Sequence, residues 1–124
     1  MANCEDRIRM IVHQGKAVLL VDCSRCTPRE IVEIANLVPD LVAGEPTASV
    51  LLLADFTGAT FDRNCVEQLK VAMVLDRAHL KRSAWVGTET LPAVYFENMQ
   101  TFAQRDIPTF EDRDHALNWL VRPD

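Results

Sequence analysis

Two cysteines three apart, Cys23-Ser-Arg-Cys26, are the first residues in the chain whose spacing could do chemistry. They follow an apolar strand-like run and precede a helix, the setting of a thioredoxin-type dithiol. Ile107-Pro108-Thr109 even offers a proline of the kind that faces such a pair. An attacking thiol, however, is activated by the amides of a helix's first turn. Thr27-Pro28-Arg29-Glu30 starts the helix after the cysteines, so both thiols fall in the loop, and Asp22 beside Cys23 opposes the thiolate. The chain has no strand pair after Pro108 to complete a thioredoxin sheet. Two loop thiols are the expectation, and a thiol-redox protein using Cys23 and Cys26 is the alternative.

The second constellation is Asp22 and Asp55, each closing an apolar run. If the runs are neighbouring parallel strands, two carboxylates meet at one rim. With Thr88 after the next strand, the set resembles a phosphoryl-receiver pocket for Mg²⁺. A receiver also needs a paired acid at the first strand and a Lys at the last. Asp22 is followed by Cys23, and residues 107–110 supply no Lys. Each Asp is therefore expected to accept hydrogen bonds from loop amides and shape its own turn. Structural zinc needs four ligands. The single C-x-x-C has no second pair, and Cys4, Cys65, His13, His79 and His115 show no ligand spacing, so no metal and no cofactor is expected. Neither His79 nor His115 has a Ser or Cys nucleophile close in sequence. The polar residues at the strand ends remain as a candidate binding rim: Asp22, Cys23 and Ser24; Asp55, Thr57, Gly58, Thr60 and Asp62; Gly87, Thr88 and Glu89. Open α/β sheets take ligands beyond the carboxyl ends of their strands.

The elements that must position this rim can be read in order. Ser49 to Asp55 holds five consecutive apolar residues, and a strand without alternation needs both faces covered. It reads as the central parallel strand. Residues 1–6 read as a loose terminus, 8–13 as a half-buried outer strand, and 17–21 as the next strand, joined to it by a Gln14-Gly15-Lys16 turn as an antiparallel hairpin. Thr27, Pro28 and Glu30 form a capping box with proline at the first helical position. That helix buries Ile31, Ile34, Ala35 and Val38, and Pro39 should bend or end it. Asp62 caps a second helix with Val66, Leu69, Ala72 and Met73 at helical period. Ser83–Val86 is a strand. A third helix starts near Thr90 or Leu91-Pro92, with Leu91, Val94, Tyr95, Met99 and Phe102 on one side. Residues 106–110 form a short edge strand, and Asp112 caps a last helix with Ala116, Leu117, Trp119 and Leu120 turned inward. The alternation predicts a single-domain α/β fold spanning 1–124, with a mostly parallel five-stranded sheet between helices.

Composition narrows the function classes. The 124 residues are 48% hydrophobic and 25% charged, with net charge −5. No Lys/Arg cluster offers a footprint for a nucleic-acid backbone. No run is long enough to span a membrane, and the polar, acidic start is no signal peptide. A cytoplasmic protein with reduced cysteines is expected. Arg7 and Arg9 guard the free edge of the outer strand, which also admits a homodimer.

The run Ala17–Ser24, the Asp55-Phe-Thr-Gly-Ala-Thr-Phe61 turn, the Ala84-Trp-Val-Gly87 strand and the closing Phe110…His115-Ala-Leu-Asn-Trp-Leu120 resemble small bacterial proteins of the stage II sporulation protein AA-like (SpoIIAA-like) class. These are relatives of the anti-sigma-factor antagonist (STAS) domains. The resemblance covers nearly the whole chain and implies a β/α superhelix with strands in sequential order. The related fold is also similar to lipid-exchange domains of the CRAL-TRIO type. Antagonists carry a phosphorylatable Ser at the start of the helix after the central strand. The matching stretch here is Asp62-Arg63-Asn64-Cys65, without that hydroxyl. The resemblance implies a non-enzymatic regulatory module that binds a ligand or protein at the rim, without the phosphoswitch. The alternative is a carrier of a lipid or small apolar ligand between the third helix and the sheet.

Overall fold

A computed structural model describes residues 4–123. Five strands lie side by side in sequence order: β1 (Ile8–His13), β2 (Lys16–Asp22), β3 (Val50–Asp55), β4 (Leu80–Val86) and β5 (Thr109–Phe110). β1 runs antiparallel to β2, and the remaining pairs are parallel. All six residues of β3 are buried, as an unalternating apolar run demands.

Strand parity sorts the core into two layers. Leu19, Val21, Leu52, Ala54 and Trp85 face one side, where α1 (Pro28–Val42), α2 (Arg63–Asp76) and α3 (Ala93–Ala103) cover them. Val18, Leu20, Leu51, Leu53, Ala84 and Val86 face the other, under α4 (Arg113–Leu120) alone. The Thr27 box forms as read: its hydroxyl accepts from the Glu30 amide at 3.2 Å, and Glu30 Oε1 accepts from the Thr27 amide at 3.0 Å. Asp62 accepts from the Cys65 amide at 2.8 Å, and Asp112 from the His115 amide at 2.9 Å.

Four expectations are corrected. Cys4–Arg7 is a 3₁₀ turn rather than loose chain, tied down where Arg7 Nη1 donates to the Ser24 carbonyl at 2.8 Å; residues 1–3 lie outside the described residues. Pro39 does not end α1, because the helix runs on to bury Val42. β4 begins at Leu80, three residues early, because Arg82 can point to the thinly covered face and donate to the Leu120 and Arg122 carbonyls at 3.0 and 2.7 Å. In α3, Val94 and Phe102 are more than half exposed, and Met99 and Ala103 are the residues turned inward. Phe96 supplies the aromatic contact, 5.2 Å from the Trp85 ring. Trp119 is half-buried, between the Phe110 ring and the Arg122 guanidinium.

Candidate functional site

Asp22 and Asp55 are register partners on adjacent parallel strands, so the structure does bring the two carboxylates to one rim. Each opens the same turn. In Asp22-Cys-Ser24, Oδ1 accepts from the Ser24 amide at 3.0 Å and its hydroxyl at 2.6 Å. In Asp55-Phe-Thr57, Oδ1 accepts from the Thr57 amide at 2.9 Å and its hydroxyl at 2.7 Å. The fourth residue of each turn, Arg25 (φ 58°) or Gly58 (φ 71°), is left-handed. This is the turn-shaping role expected of each Asp. The Asp-x-Ser/Thr repeat stood in the sequence and was the signal for the twin turns.

The sequence reading missed Arg113. Asp22 and Asp55 share the strand parity of the face under α4, and Arg113 is the first residue of that helix. Its Nε donates to Asp55 Oδ2 at 2.7 Å, and its Nη2 lies 3.4 Å from Asp22 Oδ1. The position a receiver would give to Mg²⁺ is thus filled by a guanidinium. The hydrogen bonds from Ser24, together with Arg113 and Arg7, hold the Asp22 carboxyl below its ordinary pKa despite partial burial. The Asp55–Arg113 ion pair in turn pushes the guanidinium pKa up.

The loops lock together through their backbones. The Cys23 amide donates to the Asp55 carbonyl, Arg25 to Thr57, Phe56 to Val86, and Thr60 to Cys26, all at 2.8–3.0 Å. Gly87 (φ 72°) lies so close to Thr57 that a Cβ there would overlap the Thr57 backbone. Thr57, Gly58, Thr60, Asp62 and Glu89 are exposed on the outer surface of this platform; Thr88 is half-buried and Gly87 buried. Cys23 and Cys26 lie beneath it, buried and unbridged. Burial pushes both thiols up, Cys23 well above the ordinary value. Cys65 is likewise buried, its Sγ donating to the Asp62 carbonyl at 3.3 Å. Among the described residues no group of three or more His, Cys, Asp or Glu could hold a metal ion.

A second feature lies away from the rim. An apolar cavity of about 60 Å³ sits between the sheet and helices α1 and α2. Leu52, Leu69, Ala72, Met73 and Trp85 line it, and Asp76, Ser83 and Arg105 give it a polar end. No sequence signal marked these three.

No protein-family model matches the chain, and no curated protein matches it significantly. Among solved structures, the fold is similar to that of an uncharacterized protein of the DUF3478 family from Shewanella loihica PV-4, described as having a SpoIIAA-like fold. The match covers 91% of each chain, with a TM-score of 0.69 and 21% identity. The sequential five-stranded sheet, its antiparallel first strand and its two helical layers are accordingly those of the SpoIIAA-like fold.

Proposed function

We propose that this chain is a non-enzymatic regulatory module that recognises a protein partner with the rim formed by the twin Asp turns and the Gly87–Glu89 loop. The observation that carries the reading is Arg25. A non-glycine residue held left-handed costs about 1–2 kcal/mol, and of the four such residues described, Gln14, Arg25, Ala48 and Gln104, Arg25 is the one that lies exposed on the rim. The groups that would serve catalysis are already engaged. Both carboxylates are bonded to their own turns and to Arg113, and burial keeps the cysteine thiols protonated. These features favour recognition over acid–base or thiol chemistry. Four free thiols fit the cytoplasm. Among the described residues no helix is long and apolar enough to cross a membrane.

The test is a photo-crosslinker at Thr60 or Glu89 in cells of the native host. The reading expects a discrete adduct that unlabelled wild-type protein competes away and the Arg25→Glu variant does not. Absence of any discrete adduct, or equal competition by both proteins, overturns it.

A further inference from the structure

Asp76 breaks three local rules at once. It is an acid in the last turn of α2, at the end of the helix dipole that disfavours negative charge. Only 6% of it is exposed. Its Oδ1 is buried with no hydrogen-bond partner, the one such side-chain atom among the described residues. An orphaned buried acceptor costs about 1–3 kcal/mol, so its retention calls for an occupant that donates to it. Burial is also the main reason the carboxyl titrates at about 6.

The surroundings define that occupant. Arg105 is half-buried beside Asp76, and its charge opposes the upward shift of the Asp76 carboxyl. Its Nε donates to Ser83 Oγ at 3.2 Å, and its Nη2 and Nη1 reach the Leu80 and Arg77 carbonyls at 3.2 and 3.5 Å. Three of the five guanidinium N–H groups are thereby engaged, and others remain to donate. A cationic head would meet Arg105, and an anionic head would meet Asp76. A neutral hydroxyl suits both, donating to Oδ1 and accepting from an N–H. Beyond the polar end the walls are Leu52, Leu69, Ala72, Met73 and Trp85, which call for hydrocarbon. A dry apolar cavity of about 150 Å³ takes benzene, so 60 Å³ on the same scale holds roughly two or three heavy atoms.

We propose that the cavity between the sheet and helices α1 and α2 binds a small neutral alcohol of the one- to two-carbon class, its hydroxyl on Asp76 Oδ1 and its hydrocarbon body against Leu69, Met73 and Trp85. This site is independent of the rim, and neither reading depends on the other.

The probes are ethanol and its near-isostere fluoroethane, which cannot donate a hydrogen bond. Each is titrated into the intact protein at neutral pH and followed by methyl and backbone NMR shifts. The site expects saturable shifts confined to the cavity lining, with the alcohol bound about tenfold more tightly than the fluoride. In Asp76→Leu, whose fold the same spectra check, the two probes bind alike. Ala72→Leu keeps the acceptor but fills the cavity, and abolishes both. Equal wild-type affinities for the two probes overturn the proposal whether or not either variant folds. So do non-saturating shifts spread over the surface, which would leave the cavity to water.

Discussion

At the level of single residues, Arg113 controls the rim. One planar guanidinium spans two carboxylates on neighbouring strands, a geometry that a fork of donors satisfies and a point charge does not. Asp55 is 5% exposed, so removing its cation leaves a buried charge beside a second acid. A fully enclosed pair would lose about 3–5 kcal/mol, but the Arg113 side chain is 36% exposed, and water replaces part of the loss. Arg113→Ala should therefore cost about 2 kcal/mol, read as a lower urea midpoint at unchanged slope, and Arg113→Lys should recover about half. A midpoint within a few tenths of wild type for the alanine variant would mean the guanidinium is ornamental. Arg25→Gly should move the other way, gaining about 0.5–1 kcal/mol by relieving the left-handed backbone. If the rim is the recognition surface, that more stable protein should crosslink its partner less well.

Among the elements, what was legible in the sequence was what is local. The caps at Thr27, Asp62 and Asp112 bond three residues ahead, within the reach of a sequence motif. The buried run Val50–Asp55 could be read from composition alone. The orientation of α3 could not. Val94, Tyr95, Phe96, Met99 and Phe102 spread over more than half of its circumference, so periodicity marked a face too wide to orient the helix, and its position beside α2 decided that Met99 and Phe96 turn inward. Arg113 was illegible for a plainer reason, lying 58 residues from Asp55. Pro39 misled because an interior proline costs about 3 kcal/mol in isolation. Here Val42, 1% exposed, extends the buried stripe beyond it, and its burial contributes roughly 1.5–3 kcal/mol in return. Val42→Ala should consequently unravel the last turn of α1. Amide exchange should lose protection at residues 40–42 and keep it at 31–37, with a global cost of about 2 kcal/mol. Retained protection through residue 42 would show that the turn does not rely on that side chain.

For the whole molecule, the pH profile separates Asp76 from the other acids. Its carboxyl titrates at about 6 in the fold, against 3.8 for an unperturbed aspartate. Between those values the folded protein binds more protons than the unfolded chain, so stability falls as pH rises through this window and levels off above it. A carboxyl displaced that far changes stability by roughly 3 kcal/mol across the window. Asp22 has the opposite sign: its lowered pKa contributes stability above 3.8 that is lost as pH falls through the folded value. Half-buried Glu30 and exposed Asp112 add weakly to that acid limb. Exposed His115, raised by its hydrogen bond to Asp112, adds a shallow further decline as pH climbs past 6.5. The molecule should thus be most stable near about pH 4, and its urea midpoint should drop between about pH 4 and 6.5. Asp76→Asn holds no charge at either pH and should erase most of that drop while leaving the acid limb of Asp22 intact. A wild-type midpoint that rises steadily over the same range would show that Arg105 neutralises Asp76 more fully than its burial penalises it. An Asn variant that keeps the wild-type slope would place the titration on another group.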